Sequence, residues 1–379
     1  MNPIELLRTG RSASSILVIA GEASGDLLAS KVLECLGASW RAWGVGGVRA
    51  RAQGLDALFP VEAFSLLGLT EVLGAVPRVM ASAACLLEAI GHDKPDVALL
   101  VDLPDFNCRL GPLLAAHGVP VVYFGAPQAW AWRPGRAKQM ARWVSALACL
   151  FPFEPGFFAS MGVKASFVGH PRAVDAALLA SRGSDVIALM PGSRKAELRA
   201  HAPVLAVAIP MLRARFPGYR LRMPLAPSLT RGQLEEAFGP ALQGVELFEG
   251  DALEVLASSA LALVAAGTAV TECVLMGVPH VVFYRLRPTT YAIARRLVRT
   301  PYVAMSNILA SSQLVPELLQ AAFEPGALVD ASERVLAEAG PIRARLSVLA
   351  ESLMPSGGQS TASLVAELIR QQVVDVERR

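Results

Sequence analysis

Short apolar runs recur along the chain between longer amphipathic stretches. Residues 15–20 (SILVIA), 97–101 (VALLV), 120–124 (PVVYF), 187–190 (IALM), 220–223 (RLRM), 261–264 (LALV) and 280–284 (HVVFY) are the clearest. Runs of this length, mostly apolar on both faces, predict strands buried within parallel sheets. Helical periodicity fills the intervals, at about 26–37, up to His117-Gly118, at 195–216 and at 269–276. Strand alternating with helix predicts an α/β fold built from doubly wound parallel sheets. The rhythm pauses at a plain helix, 173–180, and a polar linker, 181–184, and then restarts. Two Rossmann-like domains facing a central cleft are therefore expected, with ligands at the carboxyl ends of the strands. The expected bounds are 1–180 for the first domain, 181–345 for the second and 346–379 for a helical tail. The tail's Leu364, Val365, Leu368 and Val373 would pack back on the first domain. No repeat of 20–50 residues is present.

Composition narrows the class. The 379 residues are 53% apolar and 18% charged, against about 45–50% and about 25% in ordinary globular chains. That excludes a disordered chain. It does not predict a membrane span, which needs about 20 consecutive apolar residues. The uncharged run 110–132 is broken by Pro112, Pro120 and Pro127, and the run 255–271 by Ser258, Ser259, Gly267 and Thr268. The first apolar run is too short for a secretory signal. Five cysteines are scattered without a C-x-x-C pair, so neither a disulfide framework nor a zinc site is expected. These features favour the cytoplasm.

Net charge is only +3, but two belts, 106–153 and 273–316, hold no acidic residue. The first carries Arg109, Arg133, Arg136, Lys138 and Arg142; the second carries Arg285, Arg287, Arg295, Arg296 and Arg299. Such belts fit an anionic ligand or surface. No helix-turn-helix, RNP-like or zinc-finger pattern accompanies them, so nucleic acid is not expected.

Five loops at predicted strand ends could carry chemistry. Gly21 to Asp26 (GEASGD) offers either close backbone approach to a ligand or a tight turn with Asp26 as a cap. Neither it nor Gly44 to Gly47 (GVGG) fits a dinucleotide fingerprint. Asp102 to Asn107 (DLPDFN) sets two carboxylates and an amide at a sheet edge. One carboxylate is expected to cap the next helix and the other, Asp102 or Asp105, to act as a base. Trp130, Trp132 and Arg133 could stack on and pair with a ligand, or form a core cluster. His170 is similarly ambiguous. Pro191 to Arg194 (PGSR) precedes a long helix. There Gly192 would expose backbone N–H groups, Ser193 adds a hydroxyl and Arg194 a bidentate cation for phosphate. Gly267, Thr268 and Ala269 repeat that design, with Glu272 one turn on as a ribose ligand or a plain surface charge. No P-loop is present.

Taken together, the motifs resemble one family. In order they are GEASGD (21–26), GVGG (44–47), LGLTEVL (67–73), DLPDFN (102–107), AWAWR (129–133), PFE (152–154), VGHP (168–171), PGSR (191–194), GTAVTE (267–272), SNIL (306–309) and VPELLQ (315–320). The chain resembles lipid-A-disaccharide synthases, inverting glycosyltransferases of family 19 with the two-domain GT-B fold. It departs from the family pattern at Gln128-Ala129 (usually Ser-Val), Val48 (Pro) and Ser306 (Pro). The resemblance implies transfer from UDP-2,3-diacylglucosamine to 2,3-diacylglucosamine 1-phosphate (lipid X). The products are a β-1′,6-linked tetraacyl disaccharide 1-phosphate, the lipid A precursor of Gram-negative outer membranes, and UDP.

It further implies that the second domain holds UDP. Arg194, Ser193, Gly267, Thr268 and Ala269 would lie at the diphosphate, Glu272 at the ribose, and Asn307, Glu317 and Gln320 nearby. The first domain would hold the acceptor through Glu22, Ser24, Asp26, Asp105, Asn107, Trp130, Trp132, Arg133 and His170, with Asp102 deprotonating the 6-hydroxyl. No cofactor is implied, since the UDP-sugar is a substrate, and no metal, since no D-x-D motif is present. A cytoplasmic enzyme peripheral to the inner membrane, touching an anionic lipid surface and compatible with an oligomer, is the expected setting. The alternatives are another UDP-GlcNAc-dependent GT-B enzyme (a peptidoglycan glycosyltransferase or an epimerase) and a non-catalytic peripheral lipid-binding protein. The apolar stretch Phe64, Leu66, Leu67, Leu69, Leu73, Val76, Val79 and Met80, continuing to Leu86-Leu87, is then either core or lipid-facing.

Overall fold

The computed structural model describes residues 14–21, 23–59, 84–179 and 185–377. Glu22, most of the apolar stretch 64–87 and the linker 181–184 lie outside the described residues. The chain divides into two compact units, Met1–Pro171 with Pro355–Arg379, and Arg172–Met354.

Among the described residues the first unit holds seven parallel strands: β1 (Ser14–Ala20), β2 (Trp40–Val45), β3 (Asp56–Phe59), β4 (Val97–Val101), β5 (Val121–Phe124), β6 (Ala146–Cys149) and β7 (Ala165–Phe167), in the order β3-β2-β1-β4-β5-β6-β7. Its helices are α1 (Ala23–Leu36), α2 (Val48–Ala52), α3 (Pro104–Ala116), α4 (Ala129–Trp132), α5 (Pro134–Met140) and α6 (Glu154–Ser160). Alternation along β1 feeds two cores. Leu17 and Ile19 join Trp43, Phe106, Tyr123 and Phe158 on one face, while Ile16, Val18 and Ala20 join Val32, Leu36 and Phe124 on the other. Both faces are dry, which is why the strands read as unbroken apolar runs.

The second unit begins with α7 (Ala173–Leu178), placed by sequence in the first domain. Six parallel strands follow: β8 (Val186–Met190), β9 (Arg220–Pro224), β10 (Val245–Phe248), β11 (Ser259–Ala265), β12 (His280–Tyr284) and β13 (Glu317–Leu319), in the order β10-β9-β8-β11-β12-β13. Helices α8 (Lys195–Arg215), α9 (Thr268–Leu275), α10 (Pro288–Leu297), α11 (Met305–Ala310) and α12 (Pro325–Ala337) bear on the site. The chain returns to the first unit at Pro355, later than the 346 read from sequence. There α13 (Thr361–Glu377) sets Ala362, Val365, Ala366 and Ile369 into the core on the even face of β1. Arg370 Nη2 pins it to the Cys35 carbonyl at 2.7 Å.

Register decides where the loops emerge. Val101 pairs with Ala20 and with Phe124, so the turns after β1, β4 and β5 leave the first sheet side by side. Met190 pairs with Val264, Ala265 with Phe283, and Leu319 with Tyr284, so the turns after β8, β11, β12 and β13 do the same in the second. Strand order reverses between β1 and β4 and between β8 and β11. Those are the points where doubly wound sheets take ligands. DLPDFN occupies one switch point, and PGSR and GTAVTE flank the other. Among the described residues no helix is long and apolar enough to cross a membrane.

Candidate active site

In the first unit the turn after β4 is strained. Asp102 and Leu103 sit in the left-handed region at φ 49° and 45°, a conformation that costs a non-glycine residue about 1–3 kcal/mol. Buried side chains hold it. Asn107 Nδ2 donates to the Asp102 carbonyl at 2.7 Å and to the Val101 carbonyl at 3.3 Å. Tyr123 Oη donates to the same Asp102 carbonyl at 2.6 Å. Burial pushes the Tyr123 hydroxyl well above its ordinary pKa, so it stays a donor. With its backbone locked from behind, the Asp102 side chain is exposed at the switch point.

The other residues of this loop have different duties from those expected. Asn107 is fully buried and orients the turn instead of meeting substrate. Asp105 pairs with Arg136 of α5 at 2.8 Å. Helix α3 opens on Pro104, and its N-cap residue, Leu103, supplies no side-chain bond. Of the two candidate bases, Asp105 is thus held by a guanidinium.

Asp26 is also engaged by the fold. It is 5% exposed, and its carboxylate accepts N–H bonds from Gly47 at 2.7 Å and from Arg49 and Ala50 at 3.0 Å, closing the N-terminus of α2. A Cβ on Gly47 would lie 2.6 Å from that carboxylate. GEASGD and GVGG are therefore two halves of one clamp, and Asp26 is a helix cap, as the turn reading allowed, though of α2 and not of the helix that follows it; the ligand role was the one the resemblance implied. Ser24 is exposed in the first turn of α1.

Trp130 belongs to a buried cluster as well. Its Nε1 donates to Glu154 Oε1 at 3.0 Å, and its ring meets Phe153 edge-on. Glu154 is 1% exposed and also accepts from Leu150 N and Phe151 N. Burial still pushes its carboxyl up to about 7. Sequence reasoning passed over Glu154 as a site residue, although PFE was visible. Trp132 remains half-buried, with the exposed Arg133 guanidinium 4.2 Å over its ring. His170 is buried, 5.9 Å from the Phe151 ring.

In the second unit the PGSR turn is closed by its own helix. Glu197 of α8 accepts from Ser193 N at 2.9 Å and from Arg194 N at 3.2 Å. Gly192 turns at φ 116°, and a Cβ there would meet Glu197 Oε2 at 2.6 Å. The N–H groups expected to face phosphate therefore face a carboxylate. Tyr284 Oη donates to Glu197 Oε1 at 3.2 Å, and burial lifts the Tyr284 pKa to about 12. Below the turn, fully buried His201 accepts from Arg285 N at 3.1 Å through Nε2. That bond assigns the proton to Nδ1, which donates to the Pro191 carbonyl at 2.7 Å. Ser193 is exposed, and the Arg194 side chain is 72% exposed with a loose 3.4 Å contact to Glu197.

The turn after β11 is open. Gly267 and Thr268 are exposed, a Cβ on Gly267 would meet nothing within 4 Å, and among the described residues no side chain caps α9. The first N–H groups of α9, including that of half-buried Ala269, are the ready anion site of this edge. One turn on, the Glu272 side chain is 15% exposed and lies 3.5 Å from Arg172, which also pairs with Asp251 and Asp175. Burial raises the Glu272 pKa despite that arginine. Arg172 was not singled out from sequence.

Asn307, Glu317 and Gln320 are structural in these positions. Asn307 is fully buried, with Oδ1 accepting from Leu314 N and Val315 N and Nδ2 donating to Val315 O and Glu317. Glu317 also accepts from Val303 N and Ala304 N at the start of α11. The Gln320 side-chain amide, suitably oriented, closes on the Leu286 backbone, and the Gln320 backbone carbonyl accepts from Arg285 Nη2. Among the described residues no cluster of His, Cys, Asp and Glu could hold a metal ion.

Comparisons with known proteins fit this architecture. A family profile described as lipid-A-disaccharide synthetase matches residues 16–373. A lipid-A-disaccharide synthase of Anaeromyxobacter dehalogenans is 41% identical over 377 residues, covering 96% of this chain and 98% of its own. One of Myxococcus xanthus is 39% identical over 368 residues, covering 93% and 96%. Among solved structures, the calicheamicin glycosyltransferase CalG4 superposes with a TM-score of 0.62 at 18% identity, covering 96% of this chain and 99% of its own. The two parallel-sheet units thus form the GT-B fold, and the chain belongs to the lipid-A-disaccharide synthase family, glycosyltransferases of lipid A biosynthesis.

Proposed function

We propose that the enzyme transfers the diacylglucosaminyl group of UDP-2,3-diacylglucosamine to the 6-hydroxyl of 2,3-diacylglucosamine 1-phosphate, with inversion at the anomeric carbon. Asp102 takes the hydroxyl proton. The oxygen attacks the anomeric carbon, the bond to the UDP oxygen breaks, and UDP leaves as the anion. The α9 N-terminus and Arg194 offset the charge that develops on the diphosphate. Glu272, held by Arg172, is turned to the ribose. Nothing in this scheme needs a cofactor, and the setting is the cytoplasmic face of the inner membrane, where both lipid substrates lie.

The observation that carries this reading is the Asp102 turn. A strained backbone, clamped by Asn107 and Tyr123, presents a carboxylate at the switch point. Strain of that kind is retained where orientation matters. Replacing Asp102 by Ala removes the base. Disaccharide formation, followed by mass spectrometry, should fall about 10²–10⁴-fold, while UDP affinity by calorimetry stays unchanged. Wild-type turnover in that variant would sink the assignment. Anomeric configuration of the product by NMR tests inversion.

A further inference from the structure

Glu154 has no part in the scheme above, and its burial is costly. Its carboxylate belongs to a residue 1% exposed, and burying a charge is unfavourable unless hydrogen bonds offset it. Three N–H donors do so. Leu150 N and Phe151 N donate to Oε2 at 3.0 and 3.1 Å, and Trp130 Nε1 donates to Oε1 at 3.0 Å. Only an acceptor-only group meets all three. A carboxylic acid or an amide would turn a hydrogen of its own on one of the donors. The carboxylate therefore ties the end of β6 to α4. That helix needs an outside anchor. It is four residues long, its N-cap residue, Gln128, makes no side-chain bond, and a single turn is not stable alone. Successive residues turn by about 100°, so Trp132 lies on the opposite side of the helix from Trp130. Trp132 is half-buried, with the exposed Arg133 guanidinium 4.2 Å over its ring. The turn that carries this pair leaves the end of β5, where the Phe124 carbonyl accepts from Asp102 N at 3.0 Å.

We propose that Glu154 is a positioning residue for the acceptor: through Trp130 it fixes α4 so that Trp132 and Arg133 meet the phosphorylated sugar whose hydroxyl Asp102 deprotonates. The guanidinium, already held over the indole, offers its fork to the sugar phosphate. A pre-set pair spends none of the binding energy on ordering α4. Loosening α4 therefore weakens the hold on the acceptor and leaves the nucleotide alone. The proposal rests on the function given above. The clamp is also open to protons. Burial brings the Glu154 carboxyl up to about 7, and a proton taken up there displaces one of the three donors. Of the groups around it, Cys149 of β6 stays a thiol because burial raises its pKa. His170 lies beyond the Phe151 ring, and Arg133 is exposed past the far end of α4.

Glu154→Gln and Trp130→Phe each break the clamp. Steady-state kinetics of the full chain in detergent, with 2,3-diacylglucosamine 1-phosphate varied, read the result. Each variant should raise the acceptor KM about tenfold and keep kcat within about twofold of wild type. The donor KM, and UDP affinity by calorimetry, should not change. The double variant should be no worse than either single one, since both remove the same contact. The wild-type acceptor KM should rise as pH falls from about 8 to about 6, while the Gln variant keeps its raised value throughout. An unchanged acceptor KM in both variants overturns the assignment, as do equal losses for donor and acceptor, or additive effects in the double variant. If Glu154→Gln does not fold, Trp130→Phe, which keeps the bonds to Leu150 and Phe151, decides alone. Absence of disaccharide with the wild type strikes the proposed function instead. The clamp is then read by near-UV circular dichroism, whose tryptophan bands should change over the same pH range in wild type and not in Glu154→Gln. Wild-type bands indifferent to pH overturn the clamp.

Discussion

Two turns flank the switch point of the second sheet, one after β8 and one after β11. Both follow a buried parallel strand, both contain a glycine, and both open a helix. The β8 turn is closed by Glu197, whose carboxylate occupies the N–H groups of Ser193 and Arg194 and is itself held by Tyr284. The β11 turn carries no side-chain cap and leaves Gly267 and Thr268 exposed. A helix terminus attracts an anion only where its own chain has not already supplied one. On the proposed function, the diphosphate belongs at the second turn, and the first aims Arg194.

The most severe way to break this contrast is to make the open turn resemble the closed one. Gly267 has an extended backbone, φ 160°, and room for a side chain. Gly267→Asp should place a carboxylate on the α9 N–H groups as a cap, adding roughly 0.3 kcal/mol of stability. UDP affinity by calorimetry should fall about 100-fold, because an anion already fills the site and repels another. Undiminished affinity would remove α9 as the diphosphate site. Arg194→Ala comes next. It deletes one exposed cation and should weaken UDP binding about tenfold, and unchanged affinity would deny Arg194 any phosphate role.

Opening the closed turn should show the opposite balance. Glu197→Ala strands two backbone N–H groups and the Tyr284 hydroxyl, so urea melts should show a loss of about 2 kcal/mol. UDP affinity should change less than about fivefold, since no phosphate contact is lost directly. A large loss of affinity with normal stability would reverse the roles given to the two turns.

The same contrast shows what the sequence discloses. The strand runs, their parallel character and the loops at their carboxyl ends follow from apolar runs with no face exposed. A short-range signal for Glu197 was also present, since a glutamate three residues after the N-cap position, here Arg194, is a capping spacing. The remaining engagements are long-range. Asp26 serves Gly47, Trp130 serves Glu154, Asn307 serves Glu317, and Glu272 meets Arg172. Sequence marks such residues as polar groups near a sheet edge. Only the folded chain decides whether a backbone amide or a ligand fills their hydrogen-bonding capacity.

The mildest test acts beneath the closed turn. His201 is buried between the Pro191 carbonyl and the Arg285 amide, and burial lowers its pKa from the ordinary value. Protonating Nε2 would turn a proton toward the Arg285 N–H, so the folded state keeps the ring neutral. The unfolded chain takes up that proton below about pH 6.5. There the unfolded state binds more protons, and stability falls as pH falls, by at most about 1.4 kcal/mol per pH unit for one imidazole. His280, fully buried with a pKa near 4, adds its own loss over the window from about 6.5 down to about 4. His201→Gln should therefore reduce, without abolishing, the slope of stability against pH, measured by urea melts between about pH 7 and 5. The pH dependence of UDP affinity should be the same in wild type and variant, because the imidazole supports the turn that carries no diphosphate. If the variant instead alters that dependence, the β8 turn binds phosphate through its backbone after all, and the distinction between the two helix termini fails.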